Sequence, residues 1–359
     1  MTKARLVQTL EGHQDRAWHL AWNPASPLLA SCSTDKSIRL YSYAPNPSSD
    51  DPTAPPYRFS LQTTIPNSHS RTVRSLEFSA TGATLATASF DATVGIWCQV
   101  SEAGLDDGAG GGGGGGGGEW EPVDPLEGHE SECKSVAWSA DGRLLASCSR
   151  DKSVWVWEAV GPADFECLAV LMEHSQDVKC VTWHPTDELL ASASYDDTIK
   201  LYAADPYDDE WQCTHTLTAH SGTVWSLSFS PCGRYLASAG DDLVIKLWER
   251  VSKWRWEERG EIRDAHERTI YAIDWKAGGA PSSEGGLGRI VSAGGDGRIK
   301  VFQMKKKTRK KKNPRHVLVA QVEDAHGVSD VNHVAWKKTK DMFASAGDDG
   351  LVKVWVVDP

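Results

Sequence analysis

The sequence of 359 residues lacks a segment that would carry it into or across a membrane. Its start, "MTKARLVQTLEGHQD", has no apolar signal core, and no run approaches membrane-spanning length. Basic residues are also in deficit, with 38 Lys and Arg against 49 Asp and Glu and a net charge of −11. General nucleic-acid binders neutralise phosphates with Lys and Arg, so this deficit argues against that class. We therefore expect a soluble intracellular protein.

Cysteine pairs with metal-ligand spacing are missing as well. The eight cysteines include no C-x-x-C pair, and no Cys/His cluster has the spacing of a zinc finger or an iron–sulfur site. Several lie in apolar runs such as "LASCS", where cysteine behaves as a small hydrophobic residue. We expect reduced thiols in the core, neither disulfides nor metal ligands, and no bound cofactor.

What the sequence does contain is one unit repeated seven times. Each repeat has a His, a hydroxyl residue four positions before an Asp, and an aromatic residue six positions after that Asp. The His-to-Asp separation is 22 residues in the first five repeats, 30 in the sixth and 23 in the seventh. The His residues are His13, His69, His129, His174, His220, His266 and His326; the Asp residues are Asp35, Asp91, Asp151, Asp196, Asp242, Asp296 and Asp349.

Each repeat has the pattern of four antiparallel strands. "SVAWSADGRLLASCS" predicts a strand, a turn and a second strand, "KSVWVW" a third, and "FECLAVLMEH" a fourth. Seven such units predict an all-β fold, a seven-bladed β-propeller. Residues 4–10 have the pattern of a fourth strand before the first His, so we expect this strand to complete the last blade and close the ring. We expect one domain over residues 1–359.

The repeated side chains invite a catalytic interpretation, because Ser, His and Asp form hydrolase triads. A triad is needed once, however, and this set occurs seven times at nearly fixed spacing. We therefore interpret His129, Ser147, Asp151 and Trp157, with their counterparts, as buried structural tetrads. No catalytic set and no metal-ligand spacing remain outside them, so we expect no enzymatic activity.

Two columns of residues vary between repeats on the face that carries the turn Asp residues. One precedes each turn Asp: Thr34, Phe90, Arg150, Tyr195, Asp241, Gly295 and Asp348. The other lies early in each first strand: Trp18, Arg74, Lys134, Lys179, Trp225, Tyr271 and Asn332. No residue type is common to all seven repeats in either column, so the fold does not determine the residue type at these positions.

Blades 2 to 4 place basic residues in these columns, and aromatic residues surround them. The basic residues are Arg74, Lys134, Arg150 and Lys179, and the aromatic ones are Trp18, Phe90, Tyr195, Trp225 and Tyr271. Arg and aromatic residues dominate interaction hot spots, and Arg pairs bidentately with carboxylates. We expect a docking surface for a short acidic or carboxylate-ending segment with an aromatic residue, and Arg150 as its foremost residue. The alternative is that these side chains only cover the channel mouth.

Insertions interrupt the array on the opposite face. The largest is a Gly-rich loop at about 101–119, which has no capacity to pack and which we expect to be disordered. Another is a basic loop at 305–313, "KKKTRKKKN". The composition of this loop is typical of a nuclear-import signal or a weak nucleic-acid patch. It is about equally typical of a loop that is merely solvated.

Individual repeats resemble one family in particular. "LEGHESECKSVAW", "ASCSRDKSVWVWE" and "HSQDVKCVTWHPTDELLASASYDDTIKLY" closely resemble the WD-repeat subunit of the cytosolic iron–sulfur protein assembly targeting complex. The resemblance implies a non-enzymatic adaptor that helps to recruit apoprotein clients for cluster insertion. It also implies three further partners: a small cysteine-bearing subunit, a HEAT-repeat subunit and a hydrogenase-like cluster carrier. The family's Arg before the third-blade turn Asp, a position associated with function, matches Arg150.

The same resemblance implies a cytoplasmic and nuclear location, with no direct binding to nucleic acid or membrane. The alternative is another WD-repeat scaffold, such as a chromatin-associated reader that binds basic histone tails at the same mouth. The basic character of Arg74, Lys134, Arg150 and Lys179 disfavours a cationic ligand.

Overall fold

The computed structural model describes residues 3–47, 54–100, 119–161, 163–278, 286–306 and 313–358. Every regular element in these ranges is a β-strand, and the 28 strands form seven four-stranded antiparallel sheets. This arrangement confirms the predicted seven-bladed β-propeller. Most of the Gly-rich loop and of the basic loop lies outside the described residues.

The strands are numbered in chain order, and within a blade they run from the central channel to the rim. The inner strands are β2 (Ala17–Trp22), β6 (Val73–Phe78), β10 (Cys133–Trp138), β14 (Val178–Trp183), β18 (Val224–Phe229), β22 (Ile270–Lys276) and β26 (Val331–Lys337). The second strands are β3 (Leu28–Ser33), β7 (Thr84–Ser89), β11 (Leu144–Ser149), β15 (Leu190–Ser194), β19 (Tyr235–Gly240), β23 (Gly286–Gly294) and β27 (Met342–Gly347).

The third strands are β4 (Ile38–Pro45), β8 (Val94–Gln99), β12 (Val154–Gly161), β16 (Ile199–Ala204), β20 (Ile245–Ser252), β24 (Ile299–Lys305) and β28 (Val352–Val357). The outer strands are β5 (Tyr57–Ile65), β9 (Trp120–Pro122), β13 (Asp164–Leu171), β17 (Trp211–Leu217), β21 (Arg255–Ile262), β25 (Arg315–Val322) and β1 (Ala4–Leu10). Blade 2 has the shortest outer strand, with three residues.

The ring closes as predicted from the N-terminal strand. β1 pairs antiparallel with β28 and becomes the outer strand of blade 7, in the order β1-β28-β27-β26. The inner strands of blades 1 and 7 are also in contact, as are those of every other neighbouring pair of blades. Because first and last strands share one sheet, the ring is held shut by backbone hydrogen bonds.

The hydrophobic core consists of seven clusters, each lying between two adjacent blades. One cluster joins blades 2 and 3 and contains Leu145 and Trp157 from blade 3 together with Ile96 from blade 2. The remaining six follow the same scheme around the ring. A single blade therefore cannot bury its apolar faces alone, and stability comes from stacking.

The turn after each second strand needs a left-handed backbone residue. In all seven blades the residue after the turn Asp has positive φ, for example 75° at Lys152 and 74° at Ala92. Only blades 6 and 7 place glycine there, at Gly297 and Gly350. The turn geometry is thus common to all repeats although its residue type is not.

The eight cysteines are free thiols in the structure, and only part of them lies in the core. Cys32, Cys133 and Cys148 are buried as expected. Cys167 and Cys232 are exposed, so the expectation of core thiols was wrong for these two. Cys167 lies on an outer strand and Cys232 in a turn between strands, where no further layer of the fold covers the side chain.

Candidate functional site at the channel mouth

The predicted tetrads are present, and their geometry explains the fixed spacing. In blade 3, His129 Nδ1 lies 2.9 Å from Asp151 Oδ2, and His129 Nε2 lies 2.8 Å from Ser147 Oγ. Trp157 Nε1 donates to the same Ser147 Oγ at 3.0 Å. All seven blades have the His–Asp and His–hydroxyl contacts. The blades with Trp97, Trp157, Trp248 and Trp355 add the indole bond.

The tetrads are buried, and their hydrogen bonds connect separate parts of each blade. The seven hydroxyl residues are each 0% exposed, so no substrate can reach the oxygen. Burial alone would raise the pKa of the Asp151 carboxyl, but hydrogen bonds from His129 and Ser153 outweigh it and lower that pKa. Asp151 also accepts the backbone N–H of Glu130, so the side chain ties the turn to the loop that enters the blade. The set acts as a structural clamp.

In every inner strand, a β-bulge sets the direction in which the side chain of the second residue points. In β10 the register passes from Cys133 opposite Ser149 to Ser135 opposite Cys148, so that Lys134 is the extra residue. The other six inner strands show the same shift at the same position. A bulge re-aims its extra side chain, and here it brings the whole column to the channel mouth.

The second column is joined to the first by the backbone. Arg150 N–H donates to the carbonyl oxygen of Glu132, two residues before Lys134, at 2.9 Å. The equivalent bond is present in all seven blades, from Thr34, Phe90, Tyr195, Asp241, Gly295 and Asp348. The two columns predicted from the sequence are therefore neighbours in space.

The nine predicted site residues meet in a belt of alternating cations and aromatic rings, which we call the basic mouth. Arg74 Cζ lies 4.7 Å from the Trp18 ring centroid, and Lys134 Nζ lies 4.1 Å from that of Phe90. Lys179 Nζ lies between Tyr195 and Trp225, at 5.2 and 5.0 Å from their centroids. Trp225 meets Tyr271 edge to face at 5.6 Å, and Arg150 lies beside Lys134 through their shared neighbour Glu132. Arg74, Lys134 and Lys179 thus have their charge partly stabilised by a ring face.

Sequence reasoning missed the carboxylates within this belt. Glu132 Oε2 accepts from Lys134 Nζ at 2.6 Å, its Oε1 accepts from Arg71 at 3.0 Å, and Arg150 lies 3.9 Å away. Burial would raise the pKa of Glu132, but the bonds from Lys134 and Arg71 lower it overall. Asp177 pairs with Lys179 in the same manner at 3.2 Å. The signal was present as E-x-K and D-x-K, which place an acid two residues before each bulge lysine.

Arg74 and Arg150 are the arginines of the basic mouth, and neither has a close carboxylate partner among the described residues. Arg74 is largely enclosed at the mouth, and burial lowers its pKa. Among the described residues it contacts the Trp18 ring and has no carboxylate partner. Arg150 has a side chain 58% exposed, with only Glu132 at 3.9 Å. An incoming anion would therefore meet one enclosed and one exposed guanidinium.

The channel below the mouth holds polar side chains that satisfy the backbone of the next blade. Glu77 Oε2 accepts the Trp138 N–H at 2.8 Å, and burial raises the pKa of Glu77 to about 7. His19 and His333 stack at 3.6 Å between ring centroids. Burial, with a smaller effect from Arg74, lowers the pKa of His19 to about 3.

Comparison with known proteins places these features in a family. The family described as WD domain, G-beta repeat matches residues 4–42, 59–98, 120–158, 165–203, 211–249 and 317–356. Its matches leave out residues 250–316, where the 30-residue separation and an insertion alter the sixth repeat, although the structure forms that blade.

Full-length relatives are more specific. The chain is 46% identical over 98% of its length to a Mycosarcoma maydis protein, of which it covers 92%, described as probable cytosolic iron-sulfur protein assembly protein 1. Proteins with the same description in Cryptococcus neoformans var. neoformans serotype D and Vanderwaltozyma polyspora are 42% and 38% identical. The alignments cover 99% of both chains for the first and 98% of both for the second.

Proposed function

Because the chain belongs to the WD40-repeat family of cytosolic iron-sulfur protein assembly protein 1, we propose that it is a scaffold of cytosolic iron–sulfur cluster assembly. In this role it helps to bring apoprotein clients to the machinery that inserts their clusters. A scaffold has to present surfaces and does not have to hold the cluster. Within the described ranges no three His, Cys, Asp or Glu side chains are grouped as metal ligands.

We also propose that the protein is not an enzyme. The Ser–His–Asp sets are occupied in mutual hydrogen bonds beneath the surface, and each hydroxyl is fully buried. A catalytic nucleophile needs access to its substrate and one set of partners, and seven equivalent buried sets fit a structural role better.

The basic mouth is the surface that we assign to client or partner docking. The observation that carries this assignment is the belt of cations on aromatic rings, with Arg74 enclosed and lacking a carboxylate. An acidic or carboxylate-ending segment with an aromatic residue would complete the pairing of Arg74 and Arg150. A histone-like basic tail would instead meet like charges, so the reader alternative is not favoured.

Further partners follow from the family as proposals. They are a small cysteine-bearing subunit, a HEAT-repeat subunit and a hydrogenase-like cluster carrier. The name of the relatives indicates a cytoplasmic site of action, and we propose that the protein also acts in the nucleus. The described residues include no helix of the length and hydropathy needed to span a bilayer. We propose neither direct nucleic-acid nor membrane binding.

The test is a pull-down of tagged protein from the native cell, with wild type beside Arg150→Glu. We expect the variant to keep its melting curve and to lose cluster-requiring enzymes, because the reversed charge repels an acidic segment. Arg58→Glu on β5 is the control, since this exposed arginine makes the same charge change far from the channel.

Two outcomes would contradict the proposal in different ways. Unchanged recovery of clients with Arg150→Glu would remove the mouth from client docking. Recovery of chromatin components in place of iron–sulfur proteins would leave the propeller and replace the function.

A further inference from the structure

The outer strand of blade 3, β13, exposes more large apolar side chains than the other outer strands do. β13 is the free edge of its sheet, and it exposes Leu168 at 46% and Val170 at 45%, followed by Met172 at 71%. The other outer strands expose at most one large apolar side chain each, such as Leu61 on β5 or Val317 on β25. An apolar free edge is a template for another strand unless charge or a covering segment blocks it.

The outer segment of blade 2 beside this edge is irregular, because among the described residues after β9 only Val123 and Leu126 bond to β8. Its outer strand β9 has three residues, whereas the other outer strands have seven to nine. Val170 lies opposite Trp155 in the register, and Trp155 packs in the cluster shared with blade 2. Val170, and Met172 two residues further, therefore face the side of blade 2, and both side chains stay exposed there.

The stretches of chain that form this edge are rich in acidic residues. Residues 119–133 of blade 2 and residues 153–178 of blade 3 contain no Lys or Arg. They carry nine acids that form no ion pair with any described residue: Glu119, Glu121, Asp124, Glu127, Glu130, Glu158, Asp164, Glu166 and Glu173. All of these except Glu158 are exposed. The rim is thus acidic only a few residues from the basic mouth.

We propose that this edge, which we call the acidic rim, binds an extended segment of a partner protein that alternates apolar and basic side chains. The segment adds to β13 as a fifth strand, with its apolar side chains on Val170 and Met172 and its basic ones toward the acids. A second copy of this chain would bring Glu166 and Asp164 against the same acids, so like-charge repulsion disfavours it. The proposal is independent of the channel mouth.

The probe is a fluorescein-labelled nine-residue peptide of alternating lysine and valine, blocked at both ends, and binding to the full chain is measured by anisotropy. Leu168→Lys combined with Val170→Lys should weaken binding at least about tenfold, because inward charges block strand addition. Val317→Lys is the control for each single substitution, since it places one lysine on an equally exposed position of another outer strand. It should bind as wild type does.

Two further measurements separate strand addition from charge attraction. N-methylation of alternate peptide amides should abolish binding, and peptide should slow hydrogen exchange in residues 164–172. Glu166→Gln with Glu173→Gln, which leaves the apolar edge intact, should weaken binding and reduce its salt dependence. Binding that survives N-methylation, or that falls equally with Val317→Lys, overturns the proposal. A wild-type dimer in sedimentation that the Leu168→Lys, Val170→Lys variant dissociates overturns it in favour of a second copy.

Discussion

Arg150 and Asp151 are consecutive residues of one turn, but they belong to two different regions of the molecule. Asp151 is part of a buried tetrad, and Arg150 is part of the basic mouth. Asp151 points into the blade, where four hydrogen bonds from His129, Glu130 and Ser153 hold its carboxylate. Arg150 points to the channel mouth with a side chain 58% exposed and one distant acid. The contacts of His with Asp and with the hydroxyl residue are the same in every blade, whereas the residues of the mouth above differ from blade to blade.

This difference shows how a repeat protein separates its fold from its site. A side chain required by blade geometry recurs at a fixed spacing, because each blade repeats the same hydrogen bonds. A side chain that serves a partner need not recur, because the partner meets each blade once. Comparison of the repeats within one chain can therefore assign residues to fold or site.

The largest expected effect is on the fold side of this comparison. Asp151→Ala should lower the free energy of unfolding by about 1–3 kcal/mol, because it leaves His129 Nδ1 and the N–H groups of Glu130 and Ser153 without their partner. Urea unfolding followed by tryptophan fluorescence measures it. Arg150→Ala is the control in the same turn, and it should change stability by less than about 0.5 kcal/mol. Equal losses for both variants would remove the distinction between the two layers.

Much of the fold followed from the sequence because its constraints are local and repeated. The 22-residue spacing required a common blade, and the strand pattern before His13 required closure through β1. The mouth columns could be located for the same reason, since they hold fixed positions relative to the turn Asp. Whether they bind a partner stays a prediction.

The details that the sequence concealed depend on contacts between blades. Arg71 joins Phe90 to Glu132 across the boundary of blades 2 and 3, and no repeat spacing indicates that contact. The acidic rim was equally hidden, because the exposure of Val170 and Met172 depends on how the neighbouring blade packs and not on the pattern of β13 itself.

The position of Glu77 fits neither region fully. Its residue type varies between blades, as in the mouth, but its side chain makes a structural contact, as in the tetrads. Its equivalents on the other inner strands are Ala21, Ala137, Thr182, Ser228, Asp274 and Ala335. Burial raises its pKa to about 7, so the fold favours the protonated form. That stabilisation is complete below the unfolded pKa of about 4.5 and is lost as the pH rises through 7.

We therefore expect Glu77→Gln, which keeps an acceptor for Trp138 N–H but cannot ionise, to gain stability relative to wild type between pH 5 and pH 8. The gain should be about 1–2 kcal/mol, below the full value of the pKa shift because the side chain is half-buried. Unfolding at several pH values measures it, with exposed Glu121→Gln as the control. A difference between wild type and Glu77→Gln that does not change with pH would mean that Glu77 stays ionised in the channel.

The smallest expected effect concerns the residue after the turn Asp, which varies between blades without facing a partner or joining the network. Its backbone is left-handed in every blade, and Ala92 adopts φ of 74° where blades 6 and 7 have glycine. Ala92→Gly should raise the free energy of unfolding by about 0.5–1 kcal/mol, because it removes a Cβ that strains this conformation. Ala83→Gly, at an exposed position without positive φ, should lower stability and serves as the control in urea unfolding. If Ala92→Gly also lowers stability, the Ala92 side chain itself contributes to the fold. The turn would then contain a third class of residue, one that varies between blades and yet stabilises its own blade.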